Sequence, residues 1–162
     1  MELRSLTDLD LTIDIAVQRV GPFLIGMRFR LSFDDPEYWG SNLYLDVLPN
    51  LSVTLRWVSD NEFEVNSIRI DPLGFSDRPI DISYRSALAY LKPYGITVTK
   101  MNDDLRHLSN GATLGLTGDE IDAIWLGGTG AHVVAGKEIT DSSYADHLIC
   151  DIKATYSCLD LK

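Results

Sequence analysis

The sequence contains few of the residues on which several classes of protein depend. Its 162 residues include two cysteines and three histidines, too few for a disulfide scaffold or for a zinc site with paired ligand spacings. No G-x-S-x-G turn is present to expose a nucleophilic serine, and neither Cys150 nor Cys158 lies in a helix-start setting that activates a thiol. We therefore expect a protein that is not an enzyme, with no catalytic residue, no bound metal and no cofactor.

A complete phosphate-binding loop is also missing. The stretch "LGGTGAHVVAG" follows a predicted strand, but Val133 stands where the dinucleotide-binding fingerprint requires its third glycine. We interpret this stretch as a surface loop. His147 and Cys150 are three positions apart, yet they lack the further ligands that a zinc site requires.

Basic residues are scarce. Lys and Arg total 14 against 24 Asp and Glu, which gives a formal net charge of -10. Because affinity for nucleic acids and anionic membranes depends on Lys and Arg, neither partner is expected. The charge favours instead a basic protein partner, since complementary fields accelerate encounter. The alternative is that the acids serve only to keep the protein soluble.

Long apolar runs are lacking as well. The longest are far short of the roughly 20 residues that a membrane-spanning helix needs. The N-terminal segment "MELRSLTDLDLTIDIAVQR" carries acids where a signal peptide carries bases. We therefore expect a cytoplasmic protein that does not contact a membrane.

Alternation of apolar and polar residues, the period of a half-buried β-strand, is abundant. It predicts strands over Leu9–Val17, Met27–Phe33 and Leu43–Val47, hairpins over Val53–Ile70 and Ala112–Leu126, and a last strand over Ile152–Cys158. One helix is predicted, capped by Asp81 or Ser83 and ended by Gly95. With no linker visible, residues 1–162 are expected to form a single α+β domain, a largely antiparallel sheet of hairpins with one main helix packed on it.

Two six-residue phrases of similar pattern stand in the two hairpins. "VNSIRI" covers Val65–Ile70 and "IDAIWL" covers Ile121–Leu126, and each follows an acidic turn, "SDNE" or "TGDE". We interpret the repeat as one hairpin design used twice. The residues predicted on its buried face are Ile68, Ile70, Ile124 and Leu126. Trp125 falls on the opposite face, either exposed or covered by a loop or the helix, and the pattern leaves both open.

Acidic clusters supply the candidate binding residues. "DDPEYW" places three acids beside two aromatic residues in a segment that Pro36 makes irregular, which is typical of a surface that binds a basic, partly apolar partner. "NDDLRH" and "GDEID" add acids in predicted turns. The candidate partner-binding residues are Asp34, Asp35, Glu37, Tyr38, Trp39, Asp103, Asp104, Asp119 and Glu120. The alternative is that the aromatic residues fold back into the core and the acids are merely solvated.

The segment from Tyr90 to Leu126, with "YLKPYGITVTKMNDD" followed by "GATLGLTGDEIDAIWL", resembles a known class of protein. Its helix, "YGI" step and acidic-turn hairpin are similar to those of small acidic bacterial immunity proteins of contact-dependent growth inhibition and related polymorphic toxin systems. The resemblance implies a cytoplasmic inhibitor that binds and neutralises one cognate toxin domain, often a nuclease with a basic active site. It carries over no catalytic residue.

Two other functions fit the same sequence. One is a small enzyme or ligand-binding domain whose site is assembled from scattered residues, and a pocket enclosing His132 or His147 with a carboxylate would favour it. The other is a subunit of a larger assembly. A flat or convex acidic face with exposed aromatic residues would favour the inhibitor.

Overall fold

A computed structural model of the protein describes residues 13–30, 42–48, 50–59, 62–74, 82–127 and 137–139. The predicted strand over Ile152–Cys158 and the predicted loop over residues 128–136 lie outside these ranges. So do the outer parts of two other predicted strands, residues 9–12 and 31–33.

The described residues form two β-sheets, one α-helix and two short 3-10 helices. The strands are β1 (Ile13–Asp14), β2 (Arg19–Val20), β3 (Phe23–Leu24), β4 (Arg28–Arg30), β5 (Leu43–Leu48), β6 (Leu51–Ser59), β7 (Glu62–Ile70), β8 (Val98–Lys100), β9 (Leu105–Leu108), β10 (Thr113–Thr117), β11 (Glu120–Leu126) and β12 (Lys137–Ile139). The helix α1 is Tyr84–Leu91, and the 3-10 helices are Pro72–Gly74 and Lys92–Tyr94.

A large, mostly antiparallel sheet dominates the structure. Its strand order is β12-β5-β6-β7-β11-β10-β9-β8, with β4 also paired to β7, while β1, β2 and β3 form a small separate sheet. The pairing of β12 with β5 is parallel. Sheet and one short helix together agree with the predicted α+β class, although the balance lies strongly toward sheet.

Both predicted hairpins are confirmed, and the two similar phrases turn out to be each other's neighbours. Ile124 of β11 lies opposite Ile70 of β7, and Leu126 lies opposite Ile68. Each of these side chains is at most 1% exposed. The phrases are alike because both strands contribute to the same buried face at the same point of the sheet, where each large apolar side chain stabilises the fold by roughly 1.5–3 kcal/mol.

The predicted helix is confirmed, with Ser83 rather than Asp81 as its N-cap. The Ser83 hydroxyl accepts a hydrogen bond from the Ser86 amide at 3.1 Å, which satisfies one of the free N–H groups of the first turn. Gly95 ends the segment in the left-handed conformation, with φ of 70°. Ala87 and Leu91 are buried and join one cluster with residues of both sheets.

The prediction of a continuous strand through Val17 is wrong. Strand β1 stops at Asp14, whose carboxylate accepts hydrogen bonds from the amides of Ala16 and Val17, at 3.1 Å and 3.3 Å. This side chain therefore folds the backbone into a turn. Gln18, with φ of 58°, completes the reversal, and Val17 is left 47% exposed.

Val53, Leu55 and Trp57 occupy alternate positions of β6, but only the first two are buried. Val53 and Leu55 are fully buried, whereas Trp57 is 37% exposed. The pairing of β6 with β7 shifts register between Thr54 and Leu55 and again between Trp57 and Ser59. Such bulges break the period-two alternation, so sequence spacing no longer decides which face a residue occupies.

Candidate functional site

The acidic turns of strands β8 to β11 lie at one end of the large sheet. Asp103 and Asp104 occupy the β8–β9 turn, and Asp119 lies in the β10–β11 turn, directly before Glu120, the first residue of β11. Because β8, β9, β10 and β11 are successive antiparallel neighbours, alternate turns lie at the same end. The Leu116 amide donates to the Asp104 carbonyl at 2.8 Å, which joins the β8–β9 turn to the end of β10, next to the β10–β11 turn.

The remaining candidate residues lie outside the described part of the chain. These residues are Asp34, Asp35, Glu37, Tyr38 and Trp39. Their predicted role in partner binding therefore stays a prediction. Of the three acidic segments singled out in the sequence, the structure brings two together.

The β8–β9 turn is held by its own polar groups. The Asn102 side chain accepts hydrogen bonds from the amides of Asp104 and Leu105, at 2.8 Å and 2.9 Å. Arg106 donates to the Asn102 carbonyl at 2.7 Å. The Asp103 side chain is 95% exposed, 3.2 Å from the Lys100 ammonium. This fixed backbone therefore presents its carboxylates to solvent, where a partner has access to them.

Asp119 has a structural contact that the sequence did not reveal. Its carbonyl accepts a hydrogen bond from the Tyr84 amide at 2.7 Å, and its carboxylate accepts one from the Arg85 amide at 3.3 Å. Both donors belong to the first turn of α1, where amides lack partners within the helix and negative charge is stabilising. The β10–β11 turn thus docks on the start of the helix, and Glu120 remains exposed.

The face of the large sheet opposite the one with Ile70 and Ile124, called the outward face although Thr113 on it is 4% exposed, carries a row of polar and aromatic side chains in cross-strand register. From β9 to β5 the row consists of His107, Thr113, Trp125, Arg69, Ser52 and Asp46. The Arg69 guanidinium lies 5.6 Å from the centroid of the half-buried Trp125 ring, a cation–π arrangement. Trp125 is therefore neither fully exposed nor fully buried.

Part of this row lines a polar cavity of about 230 Å³. The lining residues are Tyr44, Asp46, Asn50, Ser52, Arg69 and Asp71. Asp71 directly follows β7, and the last residue of that strand lies opposite Ile124 in the antiparallel β11. The cavity therefore lies toward the same end of the sheet as the acidic turns.

Sequence reasoning missed this cavity. Its residues come from three strands and two connecting segments, and those on the strands occupy unremarkable positions of an alternating pattern. The alternation did indicate which face they share. The strand order that makes them neighbours was not readable from the sequence.

Two exposed tyrosines were missed as well. Tyr90 and Tyr94 are 42% and 55% exposed, and their ring centroids lie 5.4 Å apart. The Tyr90 hydroxyl donates to the Asp14 carboxylate at 2.7 Å, which joins α1 to the small sheet. Hydrogen bonding to Tyr94, partial burial and the nearby Asp14 carboxylate raise the pKa of the Tyr90 phenol above its ordinary value.

No protein-family model, curated protein or solved structure matches this chain. No helix among the described residues is long and apolar enough to span a membrane. Within the same ranges, no group of three His, Cys, Asp or Glu residues is placed to hold a metal ion. His107, the one histidine in these ranges, lies 3.4 Å from the Thr113 hydroxyl through its Nδ1.

Proposed function

We propose that this protein is an acidic inhibitor of immunity type, which binds and neutralises a basic toxin domain in the cytoplasm. One observation carries the proposal: the β8–β9 and β10–β11 turns, with Asp103, Asp104, Asp119 and Glu120, lie side by side at one end of the sheet. The chain's net charge of -10 supports the same partner chemistry.

The exposed acids act chiefly on the rate of encounter. Charges at the rim of an interface steer a partner of opposite sign and contribute less to how long the complex lasts. Added salt screens them over a Debye length of about 8 Å at physiological ionic strength. Association is therefore expected to slow as salt is added. A buried aromatic anchor, for which Tyr38 or Trp39 is the predicted residue, would govern dissociation instead.

The test is growth rescue by co-expression with the toxin encoded by the neighbouring reading frame. We expect Asp103→Asn with Asp104→Asn, and separately Asp119→Asn with Glu120→Gln, to slow association with the purified toxin domain. The asparagine at 119 keeps an acceptor for the helix amides, so the fold is preserved. The matched control is Glu62→Gln with Glu64→Gln, which removes the same charge from the start of β7, beside Arg28.

The outcomes separate the function from the site. Rescue that is weakened by the turn variants and not by the β7 control supports both. Equal slowing in all three double variants would show that only net charge matters and would reject this surface. If the chain rescues no growth and binds no basic protein, the inhibitor function is rejected.

A second candidate function is ligand binding in the polar cavity of the outward face. The specific observation in its favour is a concave site that combines Arg69 with two carboxylates, those of Asp46 and Asp71. Ligand sites characteristically place a few convergent polar groups in a concave surface. The histidine-containing pocket that would have favoured an enzyme involves His132 and His147, which lie outside the described residues.

A further inference from the structure

We propose that the polar cavity binds one organic cation, an alkyl-guanidinium or alkyl-ammonium group, between the carboxylates of Asp46 and Asp71. The cavity is built by register: Asp46 of β5 lies opposite Ser52 of β6, which lies opposite Arg69 of β7. Asn50 and Asp71 close one side, because the Asn50 amide donates to the Asp71 carbonyl at 3.1 Å. Binding here does not depend on the inhibitor function.

The hydrogen bonds within the cavity leave acceptors in excess. The Ser52 hydroxyl, which has one proton, donates a hydrogen bond to Asp46 Oδ1 at 2.9 Å. Arg69 Nε lies 3.6 Å from Asp71 Oδ1. No described residue donates to Asp46 Oδ2, Asp71 Oδ2 or Asn50 Oδ1. A ligand that completes this set must donate several hydrogen bonds, as guanidinium and ammonium groups do.

Arg69 does not supply the missing donors. Its guanidinium lies over the Trp125 ring at 5.6 Å, on the side of β7 away from Ser52 and Asp46. Its Nε faces Asp71 at 3.6 Å. The two carboxylates and this one guanidinium leave the cavity with a net negative charge, on a chain whose own net charge is -10.

The size of the cavity restricts the ligand to a small head group. Its volume of about 230 Å³ is many times the roughly 10–15 Å³ that a cavity needs to hold one water molecule. It lies below the roughly 300–1,000 Å³ typical of sites for drug-sized ligands. One guanidinium or ammonium group with part of its alkyl chain fits such a space. The source of that group is either a basic side chain of a protein or a free polyamine.

The experiment titrates small cations into the ¹⁵N-labelled full chain and follows backbone amides by two-dimensional NMR. The probes are N-acetyl-arginine amide and N-acetyl-lysine amide, which represent protein side chains, and spermidine, which represents a free polyamine. The matched control is N-acetyl-citrulline amide, which has the shape of the arginine probe without its charge. We expect shifts at Ser52, Arg69 and Asp71, and binding of the citrulline probe at least about tenfold weaker than that of the arginine probe.

Three substitutions test the assignment to these carboxylates. Asp46→Asn and Asp71→Asn should each weaken binding about tenfold, since each removes a charge-assisted acceptor. Glu62→Gln, which makes the same change of charge at the start of β7 and outside the cavity, should leave the affinity unchanged. Arg69→Gln should tighten binding several-fold, because it removes a like charge from the cavity wall. The spectrum of each variant reports directly whether it is folded.

Each outcome decides the proposal. Tighter binding of the acetylated amino-acid amides assigns the cation to a protein side chain, and tighter binding of spermidine assigns it to a polyamine. Equal binding of the arginine and citrulline probes would overturn the proposal, as would unchanged affinity in both Asp46→Asn and Asp71→Asn. Weaker cation binding after Arg69→Gln would also overturn it, because removing a like charge from the cavity wall should strengthen binding to the two carboxylates. Absence of binding for every cation would also reject the proposal. The acidic-turn interface would not be affected by that result, because the growth-rescue experiment tests it separately.

Discussion

The two faces of β7 and β11 differ sharply although they are made by the same few residues. On one face Ile70 lies opposite Ile124, and both are fully buried. On the other face, one residue along, Arg69 lies opposite Trp125, and Arg69 is exposed. One face stabilises the fold by removing apolar area from water, and the other is free to carry charge and to line a cavity. Alternate positions of the repeated phrase therefore serve different purposes. One set is buried and stabilises the fold, and the other set lies on the face that lines the cavity.

The largest expected effect comes from placing a charge on the buried face. Ile124→Asp would bury an unpaired carboxylate, at a cost of several kcal/mol against the roughly 5–15 kcal/mol that holds a typical domain together. We expect little or no folded protein, measured by circular dichroism and urea denaturation. Thr99→Asp adds the same side chain at an exposed position of β8 and should leave the fold intact. Equal loss in both variants would contradict the distinction between buried and exposed positions.

A smaller effect is expected from crowding the outward face beside Trp125. A Cβ atom at Gly115 would lie 2.9 Å from Asp122 Oδ1, 3.2 Å from Ala123 Cβ and 3.3 Å from Trp125 Cζ3. Gly115→Ala should lower the free energy of unfolding by about 1 kcal/mol, because all three side chains must shift to admit the added methyl group. In a Trp125→Phe background the loss should be smaller. An additive double-mutant cycle would show that the ring does not resist the added methyl group.

The contact of Asp119, in the β10–β11 turn, with the start of α1 should contribute a similar or smaller amount to the free energy of unfolding. Asp119→Ala removes the carboxylate that accepts from the Arg85 amide and is expected to cost about 1 kcal/mol. Asp119→Asn retains an acceptor and should cost less. Urea denaturation of both variants measures the difference. An equal cost for both would indicate that the hydrogen bond contributes nothing to the helix.

The smallest expected effect concerns Tyr90, at the flank of the helix. Because its pKa is raised in the folded state, the unfolded chain loses the phenolic proton first as the pH rises above about 10. The contribution of the Tyr90 phenol to stability is fully present below that pH and is lost above it. The free energy of unfolding should therefore decline in strongly alkaline solution. Urea denaturation on either side of about pH 10 tests this. Tyr90→Phe should show a smaller decline, and an equal decline in both proteins would contradict the assignment.

Local signals were sufficient for the parts of the fold that depend on neighbouring residues. Ser83 caps the start of α1 with its side chain, and Gly95 ends the 3-10 helix after α1 with a left-handed backbone; both signals are visible in a short stretch of sequence. The alternation in Val53–Ile70 and Ala112–Leu126 placed both hairpins. The first strand was predicted too long because the same alternation is compatible with the turn that Asp14 and Gln18 form.

The sites depend on which strands become neighbours, and this information is not local. Sequence alone determined the excess of acids, the buried positions Ile68, Ile70, Ile124 and Leu126, and the acidic character of the turns. Only the tertiary structure decided that the two phrases pair with each other, that Asp104 bonds to Leu116 at the end of β10, and that Asp46, Ser52 and Arg69 share a cavity. The physical reason is that period and capping act over a few residues, whereas strand order is chosen by burial of the whole apolar face at once.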